Sequence, residues 1–250
     1  MKSLKEENKL ELIILPIILI IIWFLVCDLF HLIPEFMFPG PTDVLNSFVN
    51  LVVSGKLFKD IFDTLYKVIF GMLLASVVGI TFGIILGWSK RLETICRLII
   101  SILRPIPPIA WIPFSILWFG IGIGPAVFII FMGCVFPILI STIDGVHRTD
   151  PVLIEAAQSF GASSSQVLTE VIVPSCVPYI VSGLKVAMGI ALMCTISGEM
   201  IGSSSGIGYM ILTSTSLFDT GSTVVGMLII GVIGIIFDYI FSKIQERIFW

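Results

Sequence analysis

Apolar runs of about 20 residues recur along the chain, and they constrain its fold more than any other feature. They begin near residues 12, 64, 94, 126, 179 and 223. A hydrocarbon core of ~30 Å is crossed by ~20 residues of α-helix, whereas a spanning strand needs about half that length and alternates. Inside a bilayer each backbone donor and acceptor must be satisfied within the protein, so uninterrupted apolar runs of this length read as helices. The expected fold class is all-α, a polytopic membrane protein with about six transmembrane helices. Composition agrees, because 57% of the 250 residues are hydrophobic and only 12% are charged. A soluble domain carries roughly 25% charged residues.

In chain order, residues 1–11 are polar and read as a cytoplasmic N-terminus, and 12–250 read as a single transmembrane domain. Leu12 to His31 is the first span. It is longer than the apolar core of a signal peptide, and no small-x-small cleavage site follows it. Pro34 to Asp60 is a loop in which Thr42 or Asp43 caps a short amphipathic helix, Val44 to Val53. The second span, Thr64 to Trp88, places Gly71, Ala75, Gly79, Gly83 and Gly87 at every fourth position. Such a stripe lets another helix backbone approach closely. The third span, Thr94 to Phe119, contains Pro105, Pro107, Pro108 and Pro113 and cannot be a straight helix. Gly120 to Pro125 is a tight turn, Ala126 to Ile143 the fourth span and Tyr179 to Ile201 the fifth, with Gly183, Ala187 and Ala191 again four apart. Gly202 to Ser222 reads as a Ser/Gly/Thr loop before the sixth span, Thr223 to about Phe241.

One polar island, residues 144–178, interrupts the oil. Asp150 before Pro151 is an N-cap followed by proline at the first helical position. Val152 to Phe160 reads as a short helix with Leu153, Ala156, Ala157 and Phe160 on one face. Gly161 stands where a left-handed C-cap wants glycine. Ser163 and Gln166 have capping-box spacing and start a second helix that runs toward Pro174. Shape alone suits either a capped hairpin packed on its own bundle or a docking element at the membrane surface.

The residues favour the second. Glu155-Ala156-Ala157, then Gly161, then Val171, Val173 and Pro174 resembles the EAA loop of binding-protein-dependent ABC transporter permeases, with valine where that family has isoleucine and leucine. The resemblance extends over nearly the whole chain. It includes Leu103 to Pro113, Leu117 to Gly122, Phe136 to Leu139, Gly198 to Gly202 and Gly206 to Tyr209, and it is to the nitrate/sulfonate/taurine branch of those permeases. The resemblance implies a type I importer permease fold with a cytoplasmic helix-turn-helix coupling loop. It further implies cytoplasmic ATP-binding subunits, an external substrate-binding protein and a homodimer of permeases. Glu155, Ala156, Ala157, Gly161 and Pro174 are the implied ATPase-coupling residues. The solute would be small and anionic, such as nitrate, a sulfonate or taurine, moved by alternating access.

Charge placement orients the spans. Lys2, Lys5, Lys9, Lys90, Arg91, Arg148, Lys243 and Arg247 fall on one side, and Lys56 and Lys59 on the other. The positive-inside rule puts both termini and the polar island in the cytoplasm of a multi-pass protein of the cell membrane. No catalytic constellation is present, so an enzyme is not expected. Gly55-Lys56 is followed by Leu57 rather than Ser or Thr, so the chain has no P-loop and no cofactor of its own; ATP would be bound by the partner. Cys27, Cys96, Cys134, Cys176 and Cys194 form no CxxC pair, His31 and His147 stand apart, and neither a metal site nor a nucleic-acid partner is expected. Two charges adjoin the spans. Arg104 either bonds carbonyls freed by the prolines, snorkels, or meets an anion in the translocation path. Glu199 either bonds the Gly202–Ser205 backbone or lines that path. Trp111 and Trp118 are interface anchors or pathway walls. The rival architecture is a secondary transporter or channel without an ATPase, in which the island would be a mere linker.

Overall fold

A computed structural model of the chain describes the backbone of residues 4–248 and the side chains of residues 14–248. Lys2, one of the orienting cations, lies outside the described residues, as do the side chains of Lys5 and Lys9. The helices are α1 (Leu4–Phe24), continued by a π-helical turn (Leu25–Leu29), α2 (Pro41–Val53), α3 (Lys56–Trp88), α4 (Lys90–Leu103), α5 (Ile112–Phe119), α6 (Ile123–His147), α7 (Pro151–Ser159), α8 (Ser164–Gly202), α9 (Ile207–Ser216) and α10 (Thr220–Ile248). Among the described residues α3, α6, α8 and α10 are each long and apolar enough to cross a membrane. A shorter apolar helix covers Ile14–Leu29.

The expected third span is two pieces. Lys90–Leu103 and Pro108–Phe119 are bent by 85° about the proline run. Pro105, Pro107 and Pro108 cannot donate, and Pro108 holds the residue before it extended, with ψ 134° at Pro107, so the helix ends at Leu103 and restarts as a 3-10 turn at Pro108–Trp111. The Gly202–Ser222 segment is also not simply a loop, because it contains α9. Ile207, Met210, Ile211 and Ser214 are buried at helical spacing there, a pattern hidden in the sequence by the surrounding Ser, Gly and Thr.

The helices gather into two compact units. One comprises the residues up to Asp60 together with Met210–Ile229. In it the Trp23 indole donates to the Pro39 carbonyl at 3.0 Å, and the Thr42 hydroxyl donates to Asp28 Oδ1 at 2.7 Å. These bonds tie the end of α1 to the start of α2, whose first turn carries Pro41 and Asp43.

The other comprises Ile61–Tyr209 and the residues from Ile230 on. Here α6 lies between α3 and α8, and the two small-residue stripes are what let it in. A Cβ on Gly71 would sit 2.6 Å from Ile130 Cγ2, and one on Gly87 would sit 2.7 Å from Val146 Cβ. Gly79 and Gly83 meet Ile138 and Thr142 in the same way. On the other flank a Cβ on Gly183 would lie 2.7 Å from Ser141 Cβ, and one on Gly198 would lie 3.0 Å from Ala126 Cα. Ala75, Ala187 and Ala191 are fully buried along the same contacts. In lipid, where helices gain little from hydrophobic exclusion, this close backbone approach and its dispersion contacts supply the association.

Candidate functional site

The polar island folds as the sequence implies. The Asp150 carboxylate accepts from Val152 N at 2.9 Å and caps α7, with Pro151 at the first helical position. Gly161 has φ +84°, and Ala162 N donates to the Ala157 carbonyl at 3.0 Å across the turn. Ser163 and Gln166 complete the capping box, with Ser163 N donating to Gln166 Oε1 at 2.8 Å. The second helix is the start of α8 and continues unbroken into the membrane span. It passes through a π-helical turn, Val167–Ile172, immediately before Val173 and Pro174. An extra residue in the turn before proline removes the clash that its ring would otherwise cause.

The hairpin is bolted to the span ends by a small core. Val146, Val167, Ile172 and Cys176 are buried together, with Ile154, Ala157, Ala162 and Leu168 packed against them. The Arg148 guanidinium stands over the Tyr179 ring at 5.8 Å, and His147 Nε2 lies 3.2 Å from a Glu93 carboxylate oxygen. The sequence reading groups Ala156 and Ala157 on one docking face, and the structure separates them. Ala157 turns inward with Ile154, whereas Val152, Leu153, Glu155 and Ala156 face outward with Phe160, which is 92% exposed. α7 therefore presents one acidic side chain, one small one and three large apolar ones on a rigidly held turn.

The other predicted residues fall into three separate places. Arg104, at the end of α4, lines a cavity of about 440 Å³ with Pro108, Gly133, Pro137, Ser141 and Ile190. Arg104 is the only charged residue in that lining, and no carbonyl or carboxylate among the described residues bonds its guanidinium. The carbonyls freed by the prolines are thus not its partners. Trp111 and Trp118 belong to an aromatic cluster: both meet Phe128 edge-on, at 6.4 Å and 5.5 Å between ring centroids. Trp118 is exposed, and Trp111 buries its Nε1 without a hydrogen-bond partner among the described residues.

Glu199 meets a partner that the sequence reading does not name. It is fully buried and pairs with Lys67 at 2.9 Å. It also accepts from the Thr64 hydroxyl at 3.0 Å and from Gly208 N at 2.8 Å. Lys67 in turn donates to Ser203 Oγ at 3.0 Å and to the Ser205 carbonyl at 2.6 Å. The Ser205 carbonyl is thus bonded by the lysine, and the Gly208 amide by the carboxylate. Lys67 and Thr64 are the members of this buried cluster that the sequence reading misses. The available signal is Lys67 standing inside the apolar run that begins at Thr64, where an ionisable side chain demands a partner.

Residues 79–250 match the family of binding-protein-dependent transport system inner membrane components. The chain belongs to this family. The permease is 38% identical over 99% of its length to an ABC transporter permease protein, provisionally so named, of Methanocaldococcus jannaschii, covering 94% of that protein. It is 29% identical to the taurine transport system permease protein of Escherichia coli, over 92% of this chain and 86% of that one. It is 31% identical to the nitrate import permease protein of Synechococcus elongatus, over 80% and 76%. These relatives place it in the nitrate, sulfonate and taurine branch of transport permeases, which are not enzymes. In fold, the permease matches an inward-facing MetNI methionine ABC transporter structure with a TM-score of 0.71 at 17% identity, over 79% of this chain and 98% of that one.

Proposed function

We propose that this permease moves a small anionic solute, of the nitrate, sulfonate or taurine kind, inward across the cytoplasmic membrane by alternating access, driven by separate ATP-binding subunits. The observation that carries the reading is the hairpin at α7: exposed Val152, Leu153, Glu155 and Phe160 on a turn anchored to both α6 and α8. A soluble ATPase could grip that face, and a push on it reaches two spans as a rigid body. Coupling requires such contacts to differ between the ATPase's open and closed states. The nucleotide is held by the partner, an external binding protein delivers the solute, and two copies of the chain form the pathway. Both termini and the α6–α8 hairpin face the cytoplasm. Arg104, alone in its cavity, supplies the cation that an anion would meet, and Trp111 and Trp118 stand as walls near the broken segment.

The test is co-purification of the detergent-solubilised permease with the cell's own ATP-binding subunits, for the wild type and for Gly161→Asp. Retention by the wild type and weaker, partial retention by the variant is expected. Absence of an ATP-binding subunit from both preparations overturns the proposal and leaves a transporter without an ATPase.

A further inference from the structure

We infer that α4 is an interfacial helix whose cationic stripe binds the headgroups of anionic phospholipids in the cytoplasmic leaflet. Three faces of this helix are distinct. Glu93, Cys96, Ile100 and Leu103 are half-buried; of these Cys96 and Ile100 pack toward Leu86, Leu139 and Ile143, while Glu93 meets His147. Leu92, Ile95, Leu98, Ile99 and Ile102 form a second face, all exposed, with Leu98 at 68%. Lys90, Thr94, Arg97 and Ser101 recur along a third, and Arg91 stands at the N-terminal end of the apolar face. No residue of α4 is buried. A helix of 14 residues with a bare apolar face opposite a cationic one is the pattern of a segment lying in the bilayer interface rather than crossing it.

Two further observations point to lipid and to its charge. α4 is set off by the 85° bend from the apolar piece that follows, so the two need not share a direction across the membrane. Trp88, exposed at the end of α3, and the Ser89 cap mark the boundary where α4 begins, and tryptophan favours the headgroup level. Glu93 is the only carboxylate on α4 and it is engaged by His147, so Lys90, Arg91 and Arg97 have no ion-pair partner among the described residues. Cations left open beside an apolar face complement anionic headgroups, while the face itself enters the acyl boundary. The inference rests on the cytoplasmic placement proposed above, but its test does not involve the ATPase.

Spin-labelled phosphatidylglycerol and phosphatidylcholine report the preference of the reconstituted full chain for anionic lipid at its surface. For the K90Q/R91Q/R97Q variant the preference is expected to fall at least about twofold, and salt should reduce that of the wild type. The K90R/R91K/R97K variant, which keeps the charge, and K243Q/R247Q, which removes cations elsewhere, should both retain it. An unchanged preference in the first variant, or a loss confined to K243Q/R247Q, overturns the inference. A photoreactive residue at Ile99 should label lipid; labelling of a second permease copy or of an ATP-binding subunit also overturns it.

Discussion

The Lys67 ammonium lies 2.9 Å from the Glu199 carboxylate, and neither side chain is more than 1% exposed. Removing two charges from water is costly, and the pair persists because every remaining valence is filled by Thr64, Ser203, Ser205 and Gly208. Removing one partner leaves an uncompensated buried charge. Lys67→Met and Glu199→Gln are each expected to destabilise the protein by about 3–5 kcal/mol. K67M/E199Q should lose less than the sum of the two, since neither charge is then stranded. Thermal unfolding in detergent for all four forms gives the coupling; strictly additive losses would show that the pair does not interact.

Much of this molecule can be read from residue order, and the exceptions have physical causes. Four of the six expected spans, the glycine stripes, the Asp150 cap and the left-handed Gly161 are local or periodic features, and the described residues reproduce them. The Lys67–Glu199 pair joins residues 132 apart, and no local pattern announces which distant group a buried lysine will find. α9 was hidden because four buried positions lie among residues that favour loops. The split of Ala156 from Ala157 depends on the tilt of α7 against the core at Val167, which spacing alone leaves open. The 85° bend follows from the prolines in kind but not in size.

Gly79 and Gly83 set the distance between α3 and α6. A Cβ on Gly79 would stand 3.0 Å from Ile138 Cβ and 3.1 Å from the Val135 carbonyl. On Gly83 it would stand 2.5 Å from Thr142 Cβ. Gly83→Val is therefore expected to cost about 1–3 kcal/mol through overpacking, with a lower folded yield by size-exclusion chromatography. Gly55→Ala, where nothing lies within 4 Å, has only its φ of +72° to contend with and should cost less. Equal losses at both positions would show that close approach is not what the stripe supplies.

Gly161 allows conformation and charge to be separated in one position. With φ +84° and nothing within 4 Å of its would-be Cβ, a side chain there meets backbone strain only, of about 1–2 kcal/mol and least for Asn or Asp. Gly161→Asn should keep most of the transport. Gly161→Asp has the same shape but adds a negative charge beside Phe160, on the proposed docking face, and should uncouple ATP hydrolysis from uptake. Glu155→Lys should do the same by reversing the exposed charge on α7. The ratio of solute moved to ATP hydrolysed in proteoliposomes reads this directly. Normal ratios in both Gly161→Asp and Glu155→Lys would remove the coupling role from the hairpin.

Arg104 makes the most specific prediction about the path. Its cavity contains one guanidinium, one serine and otherwise apolar walls, and no carboxylate to cancel the charge. A charge-assisted bond to an oxyanion contributes about 1.5–3 kcal/mol, so Arg104→Gln should lower uptake of an anionic solute by roughly tenfold or more. Co-purification with the ATP-binding subunits should be unaffected, because the proposed docking face lies on α7 and not on α4. Arg104→Lys keeps a point charge without the planar fork and should fall between the two. The split between transport and assembly is the informative part. Loss of assembly in Arg104→Gln would make the residue a structural support of the bend, and wild-type uptake would remove it from the path.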